Sequence, residues 1–470
     1  MKWLTLMPEI YFFAVAVLFL ILSMTRPNRK RDFSVAFFLA AIGIAVTLST
    51  LRMEGSLAYG AYRVDLFSQV FKGLLSMGFF LVVCLCSNLN GIHESRHSEF
   101  YLLLATCILG MMLLVSSVEL LTLYIALELA SYSLYALVPL RSSDGQEMEA
   151  GIKYFLCGIA TSALMLFGLA SLFAATHTTF LSELALKLPT LLHTPMAFVG
   201  LLLTLCGFFF KLALFPFHVW APSVYQGAAN QVTAFVATAT KVTAIAMIVR
   251  LVSMADGNTS LAHVLIALAI ISMTYGNLVA LIQKDFKRLL AYSAIAHAGY
   301  VLIGILSMNP TGYAAALFYA LAYLTMTFTC FLVVTKVASD GRDLAIVKLA
   351  GLHRRSPLLA MALMVGVFSL GGIPPKIGFT GKFLIFTAAM QRGYFLLVLI
   401  AMINVVVSLY YYIQVVRAAF LLESDEEMLP INLSAPATIL TVVMVIFIVV
   451  AGIWPSHLFE LARTAVKVLP

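Results

Sequence analysis

Charge is what this sequence has least of. Only 11% of its residues are Asp, Glu, Lys or Arg, while 62% are hydrophobic; soluble domains carry roughly 25% charged residues. A chain of 470 residues is long enough for several soluble domains but lacks the polar residues to cover their surfaces. It also lacks the alternation over about ten residues that marks membrane barrel strands. No Gly-rich loop lies between a strand and a helix to cradle phosphates, so no bound NAD, flavin or ATP is expected. The six cysteines, Cys84, Cys86, Cys107, Cys157, Cys206 and Cys330, all lie inside apolar runs. None forms a C-x-x-C pair, so iron–sulfur or zinc ligation is not expected and they read as small buried hydrophobes. The first apolar run has no basic leading segment and no clear small-residue cleavage site, so it is not read as a cleavable signal.

What the sequence does have is long apolar runs separated by short polar loops. About 20 apolar residues in helix cross the hydrocarbon layer, and fourteen such spans have cores near 8–24, 33–51, 66–87, 100–117, 118–140, 150–175, 197–215, 231–252, 262–281, 288–308, 312–336, 357–390, 394–421 and 434–455. A bilayer offers no water to backbone groups, so these spans are expected to be helices. The fold class is all-α and polytopic, in one integral membrane domain. The longest polar stretches, 176–196 and 337–356, are loop-sized.

The net charge of +8 would suggest nucleic acid in a soluble chain. Here it reflects the excess of Lys and Arg in cytoplasmic loops. The odd-numbered loops hold fifteen basic residues and the opposite side, termini included, holds eight. The odd loops should therefore face the cytoplasm, with both termini on the other side and no nucleic-acid partner.

Six lysines remain outside that tally: Lys72, Lys153, Lys211, Lys241, Lys376 and Lys382. Lys72 and Lys153 lie close enough to helix starts to snorkel to the interface, and Lys376 follows the Pro374–Pro375 pair. Lys211, Lys241 and Lys382 lie deeper, and among the acids only Glu128, in "LYIALELASYSLYALV", is expected comparably deep. A central charge costs roughly 2.5–3.5 kcal/mol on insertion scales, so four facing lipid would cost about 10 kcal/mol. One structural ion pair would explain two of the four, and buried pairs are seldom net stabilising. A row of ionisable groups along a hydrated path explains all four, and lysine suits it because desolvation brings its proton into exchange range. His218 and His297 are weaker candidates, since a buried histidine bonded to a carbonyl is an equal alternative.

The prolines belong with these charges. Pro216 has no N–H for the carbonyl of Leu212, so the helix breaks and frees acceptors beside Lys211. In "GGIPPKIGFTGKF", Pro374 and Pro375 likewise release the carbonyls of Leu370 and Gly371 near Lys382. Irregular backbone at membrane depth is tolerated only against protein or a water-filled cavity. Two such breaks in separate halves, each with a charge nearby, point to a midplane ion site between inverted repeats.

At these residues the sequence resembles the subunit N family of bacterial respiratory complex I (NADH-quinone oxidoreductase), one of its antiporter-like membrane subunits. The resemblance runs along nearly the whole chain, through "LMPEIYFF", "LELASYSLYALV", "EAGIKYFLCG", "FKLALFPFHVWAPSVYQG", "QKDFKRLLAYSAIAHAGYVLIG" and "GGIPPKIGFTGKF". It implies fourteen helices: 1–3 within residues 1–99, a repeat of helices 4–8 over 100–252, an inverted repeat of helices 9–13 over 262–421, and helix 14 at 434–455, with helices 7 and 12 interrupted. It implies that Glu128 pairs with Lys211, that Lys241 is the central proton carrier and that Lys382 lies toward the exit, with Lys153 and His297 on the same polar axis. Lysine at 382 suits subunit N. The length, and an end after helix 14, argue against the longest antiporter-like subunit with its added lateral helix. By the resemblance, NADH, FMN, Fe-S clusters and quinone are used in other subunits, the partners are the other antiporter-like and small membrane subunits of complex I, and the location is the cell inner membrane. One stretch departs from the family: "WAPSVYQGAANQVTAF" has Ser223 and Gln226 in place of two acids, and Ala229 and Gln231 in place of two prolines, so the route into helix 8 is expected to differ.

Two other functions fit parts of this pattern. A cation/proton antiporter subunit of the Mrp type shares the fold and axis. A purely structural membrane anchor does not account for the central lysines.

Overall fold

The computed structural model describes residues 2–141, 145–338, 341–422 and 429–469. In chain order the elements are α1 (Met7–Ser23), α2 (Arg29–Ser49), β1 (Gly55–Leu57), β2 (Tyr62–Val64), α3 (Leu66–Leu85), α4 (His97–Ser116), α5 (Leu120–Leu137), α6 (Gln146–Thr176), α7 (Leu181–Leu191), α8 (Pro195–Leu212), α9 (Trp220–Gly227), α10 (Asn230–Val252), α11 (Thr259–Ala280), α12 (Phe286–Leu306), α13 (Pro310–Val337), α14 (Leu352–Arg355), α15 (Pro357–Gly371), α16 (Ile377–Gln391), α17 (Phe395–Leu421), α18 (Ala435–Ile453) and α19 (Ser456–Val466). Thirteen helices among the described residues are long and apolar enough to cross a membrane. The span at 357–390, expected to be interrupted, is two fifteen-residue helices, α15 and α16, meeting at the Pro374–Pro375 turn.

Polar residues just outside the apolar runs start the helices. Asp65 caps α3 in a capping box with Ser68, Asp285 accepts from the Arg288 N–H to start α12, and Asn309 does the same for α13 before Pro310. Each satisfies a backbone donor that has no partner within the first turn.

Burial sorts the helices into centre and rim. The hydrophobic windows of α10 and α13 are wholly buried and that of α12 nearly so, while α1, α2, α6, α11, α17 and α18 bury well under half of theirs. Glycines bring backbones together at two of the tightest crossings. A Cβ on Gly168 of α6 would lie 2.4 Å from the Thr204 nitrogen of α8, and one on Gly276 of α11 would lie 2.7 Å from the Ala296 nitrogen of α12. Small residues permit this approach where no hydrophobic driving force separates protein from lipid.

Two features differ from the sequence reading. The polar stretch 176–196 contains α7, which buries Leu181, Leu184 and Leu188 at helical spacing. Between α2 and α3 lies a short antiparallel hairpin pairing Gly55 with Val64 and Leu57 with Tyr62. Three residues per strand are too few to show in the pattern of a mostly apolar chain.

Candidate functional site: lysines at two helix breaks

The first break follows α8. Ala213 sits in the left-handed region at φ 59; its N–H donates to the Phe210 carbonyl at 3.0 Å, and the Leu214 N–H to the Phe209 carbonyl at 2.9 Å. This closes the helix end in the manner of a Schellman motif. Had the helix continued, residue 216 would have donated to the Leu212 carbonyl, but Pro216 has no N–H. Lys241 takes that carbonyl instead: its Nζ donates to Leu212 O at 2.7 Å. Lys241 is buried in the middle of the wholly buried α10, and its ammonium lies 5.1 Å from the Trp220 ring of α9. The sequence reading set the freed carbonyl beside Lys211 without fixing its partner. The structure gives it to Lys241, which reaches across from the neighbouring helix.

Lys211 is buried and its Nζ has no hydrogen-bond partner. It faces the rings of Tyr135, Tyr154 and Phe210, each at 5.5 Å. A cavity of about 10 Å³ beside it is lined partly by Thr240 and Thr243 of α10, room for about one water molecule.

The second break repeats the first. Gly372 sits at φ 81 after α15, its N–H donates to Ser369 O at 3.0 Å, and the Ile373 N–H donates to Phe368 O at 2.9 Å. Pro374 and Pro375 follow. Lys382, on α16, donates to Leu370 O at 2.8 Å and lies 4.6 Å from the Tyr300 ring. It also lines a cleft of about 590 Å³ between α16 and α17. At each break a lysine from another helix claims a carbonyl that the proline denies to the helix.

Between the breaks lies a buried polar network. His297 Nδ1 is 2.5 Å from the Tyr319 hydroxyl and its Nε2 is 3.3 Å from that of Tyr412, which in turn meets Ser293 Oγ at 2.5 Å. Asn277 donates to the Tyr300 hydroxyl at 3.1 Å and to Asn404 Oδ1 at 3.2 Å, and accepts from the Tyr411 hydroxyl at 3.0 Å. Sequence reasoning missed Asn277 and Asn404. Their signal is an uncharged amide inside an apolar run.

Other expected residues lie apart from this axis. Glu128 is only half-buried and accepts from Ser162 Oγ at 2.5 Å; no ion pair joins it to Lys211, whose ammonium turns into the aromatic cage. Lys153 is on the outer face of α6, 46% exposed and paired with Glu149 one turn earlier; the inner face at this level belongs to Tyr154. His218 is buried in the connection after the first break, between the rings of Phe215 and Tyr275, and none of the lysines bonds to it.

Several charges assigned to the membrane surface are in fact buried. Lys72 does not snorkel: it is inaccessible and pairs with Glu9 at 2.6 Å, and Glu9 also accepts from the Tyr62 hydroxyl at 2.6 Å. Glu9 is thus a more deeply buried acid than Glu128. Arg250 donates to both oxygens of Asp65, at 3.1 and 3.2 Å.

At the end of the short helix α9 stands a larger cluster. Arg141 and Lys287 both donate to the Gln226 carbonyl at 2.8 Å, where cations complement the negative end of the helix. Both also pair with Asp343, at 3.0 and 3.2 Å. The Gln226 side chain accepts from Arg288 at 3.1 Å and donates to Asp343 at 3.2 Å. Asp343 is held in place because its connection bonds to the start of α12, through Phe286 N to Leu344 O at 2.8 Å and Ile346 N to Lys284 O at 2.9 Å. Partial burial raises the Asp343 pKa, but Lys287 and Arg141 beside it outweigh that and hold the carboxyl below its ordinary value.

Comparisons with known proteins agree with this architecture. A family model described as "NADH:quinone oxidoreductase/Mrp antiporter, TM" matches residues 117–408. The chain is 56% identical, over the full length of both chains, to NADH-quinone oxidoreductase subunit N 2 of Syntrophobacter fumaroxidans. It matches a chain of respiratory complex I from Thermus thermophilus at 34% identity and a TM-score of 0.85, covering 97% of this chain and 100% of that one. A chain of the Mrp complex from Dietzia sp. gives a TM-score of 0.86 at 21% identity, covering 99% and 97%; that likeness shows the fold alone. A multi-pass membrane chain with this full-length similarity belongs to the NADH-quinone oxidoreductase subunit N family, the antiporter-like, proton-translocating membrane subunits of complex I.

Proposed function

We propose that protons cross this subunit along Lys211, Lys241, His297 and Lys382, with Glu128 as the acid at one end and quinone reduction elsewhere in the complex as the driving force. The observation that carries this reading is the repeated geometry at the breaks, where Lys241 and Lys382 each hold a carbonyl that proline has freed. A lysine on a backbone carbonyl has a defined proton-donating position in an otherwise apolar setting. Lys211 has no such tether, so its ammonium is free to move. Driving a proton against about 150 mV requires roughly 3.5 kcal/mol, from 2.3 kcal/mol per 100 mV. Two cations brought to about 5 Å at an effective dielectric of about 20 repel by about 3.3 kcal/mol. Swinging Lys211 toward Lys241 is therefore of the right size to expel the Lys241 proton, and swinging it back toward Glu128 restores uptake. His297 and its tyrosine partners provide the continuation toward Lys382. Lys153 stands outside this route; its expected place on the axis would require its outward face to meet another subunit.

In this reading the partners are the other antiporter-like and small membrane subunits, and NADH, FMN, Fe-S clusters and quinone act in other subunits. The matching breaks support two inverted five-helix repeats. The basic-residue asymmetry puts both termini on the non-cytoplasmic side of the inner membrane.

The test is proton uptake and NADH-driven turnover in membranes holding equal amounts of assembled complex. Lys241→Ala should lower uptake, and coupled turnover with it. Lys241→Arg should fail too, because guanidinium does not release its proton. Wild-type pumping by Lys241→Ala would reduce Lys241 to a structural cap on Leu212.

A further inference from the structure

We propose that the cleft bounded by the β1–β2 hairpin, α7 and the C-terminal residues binds an anionic phospholipid through its phosphate. The cleft has a volume of about 700 Å³, and Arg63 and Arg250 form its cationic wall. Arg250 is 4% exposed. Its Nη2 is held by Asp65 and its guanidinium lies 5.0 Å from the Phe67 ring, but its Nε has no hydrogen-bond partner. Arg63 approaches the same carboxylate at 3.8 Å with half its side chain exposed. Asp65 is further committed to the Ser68 N–H at the start of α3. Two guanidiniums thus share one carboxylate that already caps a helix, which leaves one positive charge uncompensated at the cleft among the described residues.

A buried guanidinium N–H with no acceptor calls for an anion, and the planar fork of arginine donors fits phosphate oxygens. The rest of the lining selects the kind of phosphate. Leu181, Leu186, Val468 and Leu469 face the same cleft, and Leu186 is 81% exposed on the outer side of α7. Free phosphate has no use for those leucines, whereas an acyl chain covers them. The hairpin joins α2 to α3, and α7 joins α6 to α8, so the cleft lies at the ends of membrane-crossing helices, where phospholipid headgroups lie. Arginine donors at that level match the geometry of headgroup phosphate oxygens.

The test uses membranes containing the assembled complex and a photoactivatable phosphatidylglycerol with its diazirine near the glycerol. Labelled peptides should come from the segments around 181–187 and 250–254. Unlabelled phosphatidylglycerol should compete, and phosphatidylcholine should not. Arg63→Gln should cut labelling about tenfold, the worth of one charge-assisted hydrogen bond, and Arg63→Lys should recover part of it. Ala185→Trp, which fills the cleft from α7 and leaves both arginines in place, should also cut labelling. Equal labelling of wild type and Arg63→Gln, or equal competition by phosphatidylcholine, would overturn the proposal. Displacement by millimolar inorganic phosphate would overturn it as well, by assigning the cleft to a free anion.

Discussion

Replacing Lys211 by methionine keeps the size of the side chain and removes its charge. In the structure the ammonium is buried without a hydrogen bond, facing three rings at 5.5 Å. The desolvation of a buried ion is several kcal/mol in real proteins, and three cation–π contacts return about 1 kcal/mol each. A thioether among the same rings recovers about 1 kcal/mol through sulfur–aromatic contact and carries no desolvation cost. Lys211→Met should therefore stabilise the subunit by about 1–3 kcal/mol, roughly 5- to 150-fold in the folded-to-unfolded ratio. Lys241→Met should not show this gain, because it strips the Lys241 donor from the Leu212 carbonyl and an orphaned buried acceptor costs about 1–3 kcal/mol. Heating purified complex and following release of this subunit on native gels measures stability in both variants; proton uptake during NADH oxidation measures what removing the Lys211 charge does to pumping. The expected result is release at or above the wild-type temperature together with impaired uptake, the signature of a residue kept for function at the expense of stability. Earlier release than wild type, or normal uptake, would refute the account of Lys211 as a free-swinging charge.

Glu128→Gln should impair uptake and Glu128→Asp impair it less, since only the second keeps the charge that draws Lys211 back; equal activity of the two in assembled complex would remove Glu128 from the path. Asp343→Asn should loosen the end of α9, and the expected cost is about 1–3 kcal/mol: below the 3–5 kcal/mol of a fully broken buried pair, because Arg141 and Lys287 keep their carbonyl acceptors and Asp343 is a quarter exposed. The sign of its pH dependence follows from a lowered folded-state pKa: the stabilisation is full above the ordinary carboxylate value of about 3.9 and is lost as the pH falls through the folded value. Acid-induced release of the subunit below about pH 4 should therefore lose part of its steepness in Asp343→Asn, and an unchanged acid profile would show that Asp343 does not hold the cluster.

The spans and both breaks were legible in the sequence because membrane helices announce themselves by composition, and because a proline inside an apolar run has a fixed consequence for the carbonyl four residues earlier. Sequence names the freed carbonyl but not its new partner, since that partner comes from another helix. So Leu212 and Leu370 could be read, while the pairing of Leu212 with Lys241 could not. The same limit hid the depth of Glu9 and Lys72. Each lies near a helix end, where snorkelling is the ordinary reading, but a neighbouring helix supplies the opposite charge at 2.6 Å and keeps both inside. Lys153 shows the converse limit: its position along α6 was readable, but not which face meets the bundle, because the run is apolar on all sides, and in this chain it faces outward. Asn277 and the tyrosines around it are uncharged, so a search for deep charges passes over them.

The substitutions in 223–231 can now be weighed. An acid at 226 would stand among Arg141, Lys287 and Arg288, and glutamine there leaves the three cations in want of a negative charge. Asp343 supplies it from a different connection, and Gln226 joins the two by accepting from Arg288 and donating to Asp343. Farther along, where prolines would have stiffened the turn into α10, Gln231 donates to the Asn88 carbonyl at 3.0 Å and Asn230 to that of Ala338 at 3.4 Å. Side-chain hydrogen bonds to two other connections thus take over what ring rigidity would have done. The turn still delivers α10 with Lys241 opposite the first break, which is why the axis keeps its geometry although the local pattern has changed. What does change is how the turn is held. Its position now depends on bonds to Asn88 and Ala338, so loosening either connection should disturb Lys241 here more than where the turn is set by proline.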